Sequence, residues 1–117
     1  MALNANGLNA QVGGLTAVAS YASLHTAEPN NSGSNEVTGG SYTREAISWG
    51  AASNGTAVSD APIVFDVPGG ATITHLGYWS AATSGTFYGS RQLNAQQAYA
   101  TDGTYTIASG NLSESVS

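Results

Sequence analysis

The side chains able to do chemistry in this chain are few and widely spaced. They are His25 and His75, Arg44 and Arg91, Trp49 and Trp79, and the aspartates Asp60, Asp66 and Asp102. The two histidines lie in alternating stretches that could bring them together. A metal centre, however, needs three or four ligands in a defined geometry, and no HxH, HxxxH or HExxH spacing occurs. The aspartates are too scattered for a calcium loop. Serines are plentiful, but no GxSxG elbow is present to expose one as a nucleophile. The chain has no cysteine, which excludes thiolate catalysis, thiolate metal sites and disulfides. Neither GxGxxG nor GxxxxGK[ST] occurs, so Gly39-Gly40 and Gly69-Gly70 read as turn glycines. No catalytic, cofactor-binding or metal residue is therefore expected, and the chain does not read as an enzyme.

Arg44 stands out because the chain has no lysine and only two cations. It sits between Thr43 and Glu45, shortly before Trp49. A guanidinium there can pair with a carboxylate and stack on an aromatic ring. Arg and Trp also dominate binding hot spots. Arg44, Trp49 and Trp79 are accordingly the candidate interface or structural anchors.

These residues need a scaffold, and composition limits what it can be. The 117 residues suit one domain. Charged residues make up 8% of the chain, against about 25% in an average soluble domain. Net charge is −5 with only two arginines, so no basic patch can release counterions from nucleic acid. No apolar run approaches the ~18 residues of a membrane helix. Met1–Asn9 lacks the basic and apolar regions of a signal peptide, so no export leader is expected.

Along the chain, Leu8, Val12, Leu15 and Ala19 share a helical face, interrupted by Gly13-Gly14. This predicts a short helix over 3–12, within an N-terminal arm of 1–14. Val18–Thr26 alternates as a strand. Residues 27–41 are dense in Pro, Asn, Gly and Ser and form a long loop, of a length that suggests a contact or binding role. Period-two stretches follow at Tyr42–Trp49, Pro62–Val67, Thr72–Trp79, Thr86–Gly89, Thr104–Ala108 and Asn111–Val116. Asn54-Gly55, Pro68-Gly69 and Asp102-Gly103 supply turns between them. Such short strands indicate an antiparallel β-sandwich or a partly open barrel, and the expectation is a mainly β domain over 1–117, an antiparallel β-sandwich, Ig-like or jelly-roll-like. Ile63, Phe65, Ile73, Trp79, Phe87, Tyr105 and Ile107 are expected in one core.

Specific stretches also resemble a known family. Ser23-Leu24-His25-Thr26-Ala27-Glu28-Pro29, Asn35-Glu36-Val37-Thr38-Gly39-Gly40, and Tyr42-Thr43-Arg44 with Trp49 carry the first part. Thr74-His75-Leu76-Gly77-Tyr78-Trp79-Ser80-Ala81-Ala82-Thr83, Phe87-Tyr88-Gly89 and Gly103-Thr104-Tyr105-Thr106-Ile107 carry the second. Together they resemble small virion proteins of tailed bacteriophages, known as tail-fibre or minor structural proteins and frequent in phages of actinobacteria. The resemblance implies a non-enzymatic structural subunit, without catalytic or cofactor residues.

A compact domain of this length is about 35–45 Å across, and no collagen or heptad period extends it into a shaft. The main expectation is therefore a head decoration or minor capsid protein, with the major capsid protein as partner. The alternative is a tail-fibre or minor tail protein with a host-glycan-binding surface. Either places it in a virion assembled in the host bacterial cytoplasm. It is expected as a homo-oligomer, with no nucleic-acid, membrane or cofactor partner.

Overall fold

The computed structural model describes residues 14, 16–53, 55–110 and 112–115. Eight strands run in order: β1 Tyr21–His25, β2 Glu45–Ala46, β3 Thr56–Val58, β4 Ile63–Val67, β5 Thr72–Trp79, β6 Phe87–Ala98, β7 Gly103–Ile107 and β8 Ser113–Ser115. All strand pairs are antiparallel. One layer has the order β2-β1-β5-β6, and β3-β8 and β4-β7 form two further ladders. Ser59 N–H donates to the Leu112 carbonyl and Gly110 N–H to the Ser59 carbonyl, which links the chain segments between those two ladders. The architecture is mainly β and sandwich-like.

The strict alternation in β4 shows why the layers pack. Ile63, Phe65 and Val67 are buried, while Val64 and Asp66 face outward. They meet Ala22, Leu24, Ile73, Leu76 and Tyr78 of the first layer, with Ile107 and Leu112 beside them. Each large side chain buried this way stabilises by roughly 1.5–3 kcal/mol. Turn chemistry holds the ends: Asp102 Oδ1 accepts the Gly69 N–H at 2.8 Å, tying Pro68-Gly69 to Asp102-Gly103.

The departures from the sequence reading have local causes. The helix expected over 3–12 lies outside the described residues, and helical geometry occurs instead at Gly14 and Thr16–Val18. Tyr42–Trp49 contributes only β2 and a bridge from Trp49 to Ser59. Tyr42 and Arg44 of this stretch act through their side chains, on Leu24 of β1 and on Glu36, Ala81 and Ser84, and not through a strand ladder. β3 had no recognisable period. Thr86–Gly89 proves to be the start of the longest strand, β6, of 12 residues. Beyond Gly89 the strand is mostly exposed, with only Ser90 and Leu93 half-buried among its described residues, and so carries no alternating pattern.

The predicted core also divides. Ile63, Phe65, Ile73 and Ile107 are buried in the central cluster, and half-buried Tyr105 packs against it. Trp79 and half-buried Phe87 belong to a separate cluster on the opposite face of β5, with ring centroids 5.0 Å apart.

Candidate functional site

β1 and β5 pair so that Tyr21 faces Trp79, Ser23 faces Gly77 and His25 faces His75. These residues share one face, and Ala22, Leu24, Leu76 and Tyr78 share the other. The second face meets the core. The first would be exposed in a bare sandwich, yet Ser23, His25 and Trp79 are buried. Residues 26–36 fold back over it as a cover, joined by Arg44, while Val37 and Tyr42 between them pack into the core. Thr26 N–H donates to Asn35 and Val37 N–H to Leu24, while Pro29 and Gly33 are buried. The first part of residues 27–41, a loop by sequence, thus serves as a fastened lid on the sheet.

Beneath the lid, each polar atom has a partner. The Ser34 carbonyl lies 2.7 Å from His25 Nδ1, so that nitrogen carries the proton. His25 Nε2 then accepts from the Ser23 hydroxyl at 2.6 Å. Ser23 Oγ in turn accepts the Trp79 indole N–H at 2.9 Å. Burial pushes the His25 pKa below its ordinary value, outweighing the Ser34 hydrogen bond and the nearby Glu36 charge, which both raise it. The Ser–His contact looks like part of a hydrolase, but both side chains have zero exposure and no substrate carbonyl can reach Ser23. The pair is structural.

Arg44 closes the edge of this cluster. Its Nε and Nη2 bind both oxygens of Glu36 at 3.0 and 2.9 Å. Nη1 donates to the carbonyls of Ala81 and Ser84 at 3.1 and 2.8 Å. The guanidinium carbon sits 3.6 Å from the Trp79 ring centroid. Glu36 Oε2 also accepts the Tyr42 hydroxyl at 2.8 Å, and Tyr42 Oη accepts the Leu24 N–H at 2.9 Å. Desolvation raises the Tyr42 pKa strongly, so it stays a neutral donor.

Arg44 and Trp79 are thus brought together, whereas Trp49 is not part of this cluster. Its indole N–H donates to the Ala19 carbonyl at 3.0 Å, and its ring lies 6.2 Å from that of Tyr78. Since Tyr78 and Trp79 are consecutive in β5, Trp49 packs on the opposite side of the sheet from Arg44. Glu36 was not singled out by sequence. Nothing in local spacing ties it to Arg44, because the lid's return path makes the pairing. His25 and His75 do face each other, and Glu28 Oε2 approaches His75 Nε2 at 3.6 Å. Among the described residues no group of three or more metal-ligating side chains converges.

A second feature lies at the open side of the sandwich. Between β6 and β7 runs a groove of about 730 Å³. Leu76, Ile107 and Leu112 lie at its apolar side, and Tyr105 forms a wall. Gln92, Asn94 and Gln97 line it from β6, beside Arg91. The β5–β6 register explains the hollow. His75 pairs with Gln92 and Ile73 with Gln97, so everything between Gln92 and Gln97 lies opposite Thr74 alone. β6 bulges there. Four side-chain amides, Gln92, Asn94, Gln96 and Gln97, within a stretch lacking a strand period are the sequence signal for it.

The family model described as Podophage GP4 fiber I protein gp80 matches residues 2–115. The chain belongs to this podophage fibre-protein family. A fibre-protein family is a bacteriophage structural family, which makes the chain a virion-type structural protein. The match is to a fibre component, so it favours the tail alternative over head decoration. No curated protein matches the chain. No helix among the described residues is long and apolar enough to cross a membrane.

Proposed function

We propose that this chain is a tail-fibre or minor tail protein, a non-enzymatic subunit present in several copies, which joins other virion proteins and presents a host-glycan-binding surface. Residues 1–117 act as one β domain in this reading. The observation that carries it is the fibre-family match, which spans residues 2–115. Surface chemistry supports it. With no lysine and few charges, the exposed Ala, Gly, Ser and Thr lose little charge hydration when covered. Shape and dispersion contacts then hold the subunit in place.

The buried state of Ser23 and His25 supports the non-enzymatic part. Arg44 and Trp79 act as anchors that hold the lid, and Trp49 anchors the other face of the sheet.

Quantitative mass spectrometry of purified particles tests the assignment. A tail component appears at three to a few tens of copies per particle, and hundreds of copies would restore the head reading. Washing particles in about 1 M salt, where the Debye length is about 3 Å, should leave the protein attached. Complete release would overturn the non-ionic attachment.

A further inference from the structure

We infer that the groove between β6 and β7 is a saccharide-binding site, which takes a neutral sugar through its hydroxyls and its C–H faces. This rests on the host-facing reading only for the source of the sugar; the chemistry stands on the groove itself. The volume of about 730 Å³ falls within the ~300–1,000 Å³ of small-ligand sites. Its lining combines the two surfaces a sugar ring needs. Tyr105 and Leu93 offer apolar area for ring C–H groups, with Leu76, Ile107 and Leu112 behind them. Gln92, Asn94 and Gln97 offer amides, each with donors and an acceptor, which suit hydroxyls that both give and take hydrogen bonds. Among the described residues these three amides make no side-chain hydrogen bond with the rest of the protein, so their capacity is available to a ligand.

Other ligand classes fit the same lining less well. Among the described residues that line it, Arg91 is the one charged side chain, too little for a polyphosphate or nucleic-acid backbone. No carboxylate stands among those described lining residues to hold a cation. An added protein strand would need a regular edge, and β6 is irregular at two places: opposite Thr74, and between Tyr78 and Trp79. Such bulges blunt an edge against strand addition.

The test is binding of the full chain to a printed array of bacterial surface polysaccharides, followed by titration of the best-bound oligosaccharide. Substituting Gln92→Ala or Gln97→Ala should weaken binding about five- to tenfold, the loss expected for one hydrogen-bonding group. Both positions are exposed, so thermal midpoints should not move. Tyr88→Ala, at an exposed aromatic outside the groove, should leave binding unchanged. The site is overturned if no polysaccharide on the array binds, or if only Tyr88→Ala reduces binding. It is also overturned if sedimentation shows the groove residues holding a second copy instead, with a dimer that Gln92→Ala dissociates. Particle composition is read separately. A virion protein that binds no sugar overturns this site and the glycan-binding surface but leaves the virion assignment standing, and a sugar binder missing from particles overturns the virion assignment alone.

Discussion

The guanidinium of Arg44 lies over Trp79, its carbon 3.6 Å from the ring centroid, while two of its nitrogens grip Glu36. One side chain therefore joins the lid to the sheet beneath it. A cation over an indole face is worth roughly 0.5–2 kcal/mol, and more when water is excluded. Here the Arg44 side chain is only 10% exposed.

Arg44→Ala should lower stability by about 2–4 kcal/mol, because it strands the partly buried Glu36 carboxylate and two carbonyls. Arg44→Lys should recover only part of this, since an ammonium cannot bind both oxygens in a planar fork. Urea unfolding midpoints of the two variants provide the measurement. Equal midpoints for Lys and wild type would show that the fork geometry contributes nothing.

Tyr42→Phe removes the acceptor of the Leu24 N–H and a donor to Glu36. The expected loss is about 1–3 kcal/mol, as for a buried donor left unpaired. Amide exchange at Leu24 should also accelerate. Unchanged exchange there would mean another acceptor takes the proton.

Acid should loosen the region around His25. Its folded pKa lies below the ordinary 6.5, so below about pH 6.5 the unfolded chain binds a proton that the native state resists. Stability from this group is present above pH 6.5 and is lost as pH falls toward the folded pKa. Protonating Nε2 would also turn the Ser23 hydroxyl away from its acceptor. The groups facing His25 are Glu36, His75 and Arg44. Following the His25 ring protons by NMR should give a midpoint below 6.5, and a midpoint above it would refute the burial effect.

Gly77→Ala should cost about 1–3 kcal/mol through overpacking. A Cβ there would stand 2.5 Å from Ser23 Oγ and 2.7 Å from His25 Nε2. Gly33→Ala should be at least as damaging. Its φ is +73°, and its added carbon would meet the Trp79 ring. Thermal midpoints of both variants check this, with Gly39→Ala as the comparison: that Cβ meets nothing within 4 Å, although its φ of +101° carries backbone strain alone.

The strands that bury one face were legible in the sequence. Ile63, Phe65 and Val67 alternate with exposed residues because one side of β4 meets the core and the other meets water. Thr72–Trp79 was found with its observed ends for a related reason: β-branched and aromatic residues run between turn glycines and serines. The lack of charge clusters, cysteines and nucleotide-binding loops was equally a property of composition. What tertiary structure decided is where the second face of β1 and β5 goes. Local period cannot show that a Pro-, Asn- and Gly-rich segment will fold over Ser23, His25 and Trp79, because its hydrogen bonds are made by backbone groups that every residue carries. Nor can spacing pair Glu36 with Arg44, or open the groove at β6. The first depends on the path of the lid and the second on a register shift opposite Thr74, and both arise only when distant segments are brought side by side.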